Sequence, residues 1–175
     1  MVIATDGVHS TVRRLLMPNV AFRVLPYVVF YGKRVIDMTE YQNSIEAHMQ
    51  GNTFIQSQHD DTYLQISIVE YGVENVHLNY TYSRPARAED PLHRPDRSTG
   101  EANQVPEAFY QEIDRLHDLG HAFAHVFNSQ KLRKDRVLHW LMRSSLGSLS
   151  EIEDLAERGV VLIGDVGLFG VLSVF

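Results

Sequence analysis

The stretch Glu157-Arg158-Gly159-Val160-Val161-Leu162-Ile163-Gly164-Asp165 decides how this chain is read. Four apolar, mostly β-branched residues between a glycine and a Gly-Asp pair predict a short strand buried on both faces, as in a parallel sheet. Open α/β sheets bind ligands beyond the carboxyl ends of their strands, and a glycine there lets a ligand approach the backbone. Asp165 is therefore a candidate hydroxyl acceptor. On spacing alone, Gly164-Asp165 reads more readily as the turn after a core strand.

Near the other end of the chain, Val2-Ile3-Ala4 runs into Thr5-Asp6-Gly7, again a short strand followed by a turn. Ser10 is placed to cap a helix with Val12, Leu15 and Leu16 on one face, and Pro18 closes the segment. An Asp at a strand end, a glycine and the positive end of a helix then meet in one place. The simpler reading is a capped surface helix with Arg13 and Arg14 solvated.

Two motifs carry a family resemblance. Glu157 to Asp165 resembles the second flavin motif of the class A FAD-dependent aromatic monooxygenases, the p-hydroxybenzoate and salicylate hydroxylase group. Ala4-Thr5-Asp6-Gly7-Val8-His9-Ser10-Thr11-Val12-Arg13 resembles the Asp-Gly signature of the same group. The resemblance implies an α+β protein: a partial FAD/NAD(P)-binding fold with an antiparallel substrate-domain sheet and a few helices. It implies cofactor contacts at Asp165, Gly164, Asp6, Gly7, Ser10 and Arg13, with FAD as cofactor and NAD(P)H as reductant. It assigns no catalytic residue.

The resemblance also implies an incomplete unit. The chain has no Gly-x-Gly-x-x-Gly phosphate-binding turn, and the family places that turn before the Asp-Gly motif. After Asp165 the family continues into a polar turn and a long flavin-facing helix. Here Val166 to Phe175 follow instead, a glycine- and valine-rich tail that reads as a poor helix and a truncated or altered end. Expected segments are 1–20 and 146–175 for the partial flavin-binding part and 21–145 for the substrate-domain-like part. A partner chain supplying the missing flavin domain is one expectation.

The middle predicts an antiparallel meander. Tyr27 to Tyr31 and Asn52 to Gln58 are candidate strands, and His59-Asp60-Asp61-Thr62 supplies turn chemistry. Leu64, Ile66 and Ile68 alternate with polar residues, as do Val76, Leu78, Tyr80 and Tyr82, with Gly72 to Asn75 between them. By resemblance this sheet covers the flavin ring, and its aromatic residues are candidates to line a pocket for a planar substrate; on their pattern alone Tyr71, Tyr80 and Tyr82 read as ordinary strand residues. Ser83 to Val105 reads as a loop. Pro106 begins a helix that buries Phe109, Ile113 and Leu116. Val137 to Leu141 is a candidate strand, and Ser148-Leu149-Ser150-Glu151 has the capping-box form of a helix start that Gly159 would end.

Other classes find less support. His117, His121 and His125 recur at four-residue steps, but Gly120 interrupts them and no carboxylate completes a metal site. Lys131 to Arg136 is a basic cluster without interleaved aromatics, and a formal charge of -6 gives no general attraction to nucleic acid. The chain has no cysteine, which excludes thiol chemistry and disulfides. The first residues show no secretory leader, and the apolar run from Val160 to Phe175 contains Asp165 and is shorter than the roughly 20 residues of a spanning helix. The expectation is a soluble, cytoplasmic protein of secondary metabolism acting on a small aromatic or polyketide-like molecule. The alternative is a non-catalytic remnant of the family that binds a small molecule or a protein.

Overall fold

The computed structural model describes residues 1–7, 10–20, 22–145 and 148–163. The chain divides into two compact units, Met1–Leu25 with Met142–Phe175, and Pro26–Leu141.

The first unit contains β1 (Val2–Ala4), α1 (Thr11–Leu16), β2 (Phe22–Val24), β8 (Arg143–Ser145), α7 (Leu149–Glu157) and β9 (Val160–Leu162). β1 and β9 pair in parallel, and β2 and β8 pair antiparallel. α7 starts as its capping box predicts: Ser148 Oγ accepts the Glu151 N–H, and the Glu151 carboxylate accepts the Ser148 N–H at 2.8 Å. Gly159, at φ +76, then turns the chain into β9, a left-handed conformation that favours glycine.

One expectation for β9 is corrected. The strand is parallel, but it is not buried on both faces, since Val161 is 39% exposed. Among the described residues its sheet has two strands, which leaves apolar side chains of both open. The predicted face of α1 is also corrected. Leu15 is exposed, whereas Arg13 and the following Met17 are buried.

The second unit is a five-stranded antiparallel sheet in the order β4-β5-β6-β3-β7, made of β3 (Tyr27–Asp37), β4 (Phe54–His59), β5 (Thr62–Tyr71), β6 (Asn75–Pro85) and β7 (Arg136–Trp140). The meander is present, and β3 and β6 are longer than their apolar runs suggest. One face carries Val28, Phe30, Leu64, Ile66, Leu78, Tyr80, Tyr82 and Val137 into the core. Against it lie α4 (Glu107–Asp114), α5 (His121–Val126) and α6 (Ser129–Leu132), with Phe109, Ile113, Phe123, Val126 and Leu132 buried. A helical stretch unforeseen in the sequence also contributes Tyr41, Ile45 and Met49: α2 (Met38–Tyr41), a π-helical turn (Gln42–Glu46) and α3 (Ala47–Met49). Asp37 caps it by accepting the Glu40 N–H at 2.7 Å.

The mixture of helices with a mainly antiparallel sheet is the expected α+β class. Among the described residues, no helix is long and apolar enough to cross a membrane.

Candidate functional site

In the first unit the register Val2↔Val160, Ile3↔Val161, Ala4↔Leu162 continues with Ile163 N–H donating to the Ala4 carbonyl at 2.9 Å. The carboxyl ends of β1 and β9 therefore lie side by side, the arrangement that places ligand-binding turns at one edge. Asp6 stands at this edge, exposed, and its Oδ2 accepts the Thr11 N–H at 2.8 Å. The Ser10 hydroxyl and the Thr11 amide hold its carboxyl below the usual range, so Asp6 is anionic at neutral pH. Gly7, at φ +74, makes the turn, and its carbonyl accepts the Ser10 N–H at 2.9 Å. A Cβ on Gly7 would meet nothing within 4 Å, so the glycine serves backbone conformation and leaves open space beside Asp6.

Ser10 and Arg13 form the layer beneath. Ser10 is buried, and its Oγ accepts the Arg13 N–H at 3.0 Å as the cap of α1. Arg13 is 4% exposed, which contradicts its reading as a solvated surface cation. Burial works to lower its pKa, and the Asp6 charge works to keep it protonated. The structure thus brings Asp6, Gly7, Ser10 and Arg13 into one strand-turn-helix corner. Gly164 and Asp165 follow Ile163 in the chain and lie outside the described residues, as does the tail to Phe175.

In the second unit the sheet face opposite the core is polar and aromatic. Paired positions across it run Gln56, Gln65, Thr81, Tyr31, Leu138 in one row and Gln58, Tyr63, Ser83, Val29, Trp140 in the next. Tyr31 meets Trp140 edge to face at 6.2 Å between centroids, and Lys33 lies 6.0 Å from the Tyr31 ring. Gln65 donates to Ser67 Oγ at 2.8 Å and accepts from Tyr63 at 3.4 Å. Burial pushes the Tyr31 and Tyr63 phenols up, so both keep their protons at neutral pH. This surface offers rings for stacking, together with neutral donors and acceptors.

The tyrosines singled out from the sequence are placed differently. Tyr80 and Tyr82 point into the core, where Tyr80 donates to Asp135 at 2.7 Å and Tyr82 packs edge to face on Phe109. Tyr71 is half exposed and shares a hydrogen bond with Tyr41 at 3.0 Å. The alternation that makes Leu78 a core residue carries Tyr80 and Tyr82 to the same face.

The histidine series does not form one helical face. Gly120 starts α5, which contains His121 and His125, and the exposed His117 precedes it. His125 instead meets Glu40 at 2.8 Å, and Lys131 reaches the same carboxylate oxygen at 2.9 Å. No group of three or more His, Cys, Asp or Glu among the described residues is placed to hold a metal ion. The basic cluster is likewise divided, since Lys131 lies in α6, Arg136 lies in β7, and Arg133 pairs with Glu107 while covering the Tyr110 ring.

A cleft of about 440 Å³ at the β4–β5 turn is lined by His59, Asp61, Arg87, Glu112, Arg115 and other polar residues. Arg87 joins Glu112 at 2.7 Å and Asp61 at 3.5 Å there, so charges of both signs already meet one another.

No family model matches the chain. Over 94% of its length it is similar to FAD-dependent monooxygenase aptC of Emericella nidulans (34% identity) and FAD-dependent monooxygenase adaC of Aspergillus niger (33%). FAD-dependent monooxygenase nscC of Trichophyton rubrum is 32% identical over the same share. The chain spans 40% of the length of the first and third of these relatives and 41% of the second. Its fold matches, with a TM-score of 0.59 and 15% identity, a crystal structure from Photorhabdus luminescens subsp. laumondii provisionally described as a FAD-containing monooxygenase. That match covers 97% of this chain and 45% of the other.

Proposed function

Because its homologues over 94% of its length are FAD-dependent monooxygenases, we propose that the chain is a segment of such an enzyme, contributing one edge of a flavin site and a substrate-facing sheet. The observation that carries this reading is the corner at the end of β1. An anionic, exposed Asp6 stands there beside an open glycine turn, backed by the buried Ser10 and Arg13. This donor set fits one edge of a flavin nucleotide: a carboxylate of this kind accepts hydrogen bonds from hydroxyl groups, and the open space over Gly7 admits a ligand to the backbone.

In this proposal Asp6, and Asp165, which follows β9 in the sequence, hold the hydroxyl-bearing part of FAD. Ser10 and Arg13 keep the Asp6 turn in shape. Bound FAD, reduced by NAD(P)H, would supply the oxygen activation that side chains cannot. The chain's own part is positioning and exclusion of water. The open sheet face, with Tyr31, Tyr63, Trp140 and the Gln65–Ser67 pair, receives a small aromatic or polyketide-like molecule by stacking and neutral hydrogen bonds. The proposed setting is cytoplasmic secondary metabolism, with segments 1–20 and 146–175 serving the flavin and 21–145 the substrate.

Quenching of FAD fluorescence on titration with the folded 175-residue chain, repeated with Asp165→Ala, tests this. Saturable binding that weakens in the variant supports a retained flavin edge. Absence of binding by a folded chain overturns it and favours the remnant reading, in which the sheet face binds a small molecule without flavin.

A further inference from the structure

One row of the open sheet face of the second unit is cationic. Phe54, Ser67, Asn79, Lys33 and Arg136 stand in register across β4, β5, β6, β3 and β7. Lys33 and Arg136 are direct cross-strand partners, which sets their Cβ atoms about 5 Å apart on the same face of the sheet. Both are exposed, so a ligand reaches them without any part of the chain moving. Like charges placed directly opposite one another oppose folding, and among the described residues neither side chain is joined to a carboxylate. The acids nearest in register are placed elsewhere. Glu70 lies opposite His77, one row on and two strands away from Lys33, and Asp37 lies at the end of β3, where it caps α2. Asp135, which precedes Arg136, is engaged by Arg34 and Tyr80.

The aromatic part of the face adjoins this pair. Tyr31 is two residues from Lys33, about 7 Å along β3, its ring lies 6.0 Å from Lys33 Nζ, and Trp140 meets it edge to face. A planar ring stacked there with an acidic substituent brings the negative charge to two cations that lack one. We propose that the molecule received by this face is an aromatic acid, its ring on Tyr31 and Trp140 and its anionic group held by Lys33 and Arg136. The inference rests on the reading of this face as substrate-facing, and adds the sign of the substrate's charge and the two residues that select it.

The test is ¹H–¹⁵N NMR of the folded 175-residue chain, read at the indole N–H of Trp140, its one tryptophan. 2-Naphthoate, the neutral 2-naphthamide and oxidised NADP are titrated separately at low, constant ionic strength. The expected result is saturable binding of naphthoate, about tenfold tighter than naphthamide and weaker as salt is added. Lys33→Gln and Arg136→Gln should each weaken naphthoate about three- to fivefold and leave naphthamide unchanged. Each variant removes one of two opposed like charges, so the sheet should keep its fold in both. Equal affinity for acid and amide, or variants that bind the acid as the parent does, would overturn the proposal and leave the substrate-facing sheet standing. No response to either ring compound would overturn both. Binding of NADP that is tighter than that of naphthoate and is lost in the same variants would assign the pair to a nucleotide, and would overturn its assignment to the substrate.

Discussion

The ring of Tyr80 occupies the space that any side chain on Gly32 would need: a Cβ on Gly32 would lie 2.1 Å from Tyr80 Cζ. The two residues are cross-strand partners on β3 and β6, and the Tyr80 hydroxyl reaches past the glycine to Asp135. Asp135 also takes two hydrogen bonds from Arg34. A missing side chain on one strand is therefore what lets a large ring on the next tie the sheet to the turn before β7. Gly32→Ala should destabilise the second unit by roughly 3 kcal/mol through overpacking. In urea unfolding, Gly32→Ala/Tyr80→Leu should cost less than the sum of the single changes, because the leucine gives back the space.

Arg84 holds a buried charge network together. Its side chain is 2% exposed and bonds to both Asp90 and Glu112, which fastens the segment after β6 to α4. Replacing it with methionine would leave two carboxylates short of their partner. The expected loss is about 3–5 kcal/mol, read as a lower urea midpoint, whereas Arg87→Met, at the exposed end of the network, should change stability by less than about 1 kcal/mol.

His139 should make stability fall in mild acid. Burial first, then the charges of Arg94, Arg97 and His93, push its pKa down from 6.5 to about 4. Between those values the unfolded chain binds a proton that the folded chain refuses, so stability is full above 6.5 and declines as pH falls toward 4. The decline from this one group is about 3 kcal/mol. Asp90, held low by Arg84 against the opposing effect of burial, adds its own loss only below its ordinary value of 3.8. Thermal melts from pH 7 to pH 4 should steepen with His139 present and flatten in His139→Phe.

Ser148→Ala removes one half of the capping box of α7 and should cost about 1 kcal/mol. Faster amide exchange at Leu149 to Glu151, with the second unit unchanged, is the expected signature.

Regular features were legible in the sequence for definite reasons. The capping box at Ser148, the glycine turn at Gly159 and the alternation from Leu64 to Tyr82 are local patterns, and local hydrogen bonding or side-chain period enforces each one. The helical stretch from Met38 to Met49 was not legible, because its apolar residues face a sheet assembled from distant strands and a π-helical turn shifts its period. The Asp6–Ser10–Arg13 corner was legible as a group of residues, but the burial of Arg13 was not. A basic residue at a helix surface looks solvated until tertiary structure covers it. The same reason hid Arg84 and His139. Tyr80 and Tyr82 alternate in step with Leu78 and lie with it in the core, as ordinary strand residues do; aromatic content alone does not show which face of a strand a ring occupies.

The most direct measurement is calorimetric titration of FAD into the folded chain and into Asp6→Asn, which keeps an acceptor for the Thr11 amide but removes the charge. The account predicts saturable binding by the parent chain, about tenfold weaker in the variant, with the helix content of the two indistinguishable. Equal affinity in both would contradict the assignment of the flavin edge to Asp6, and no heat of binding from either would contradict a flavin edge in this chain.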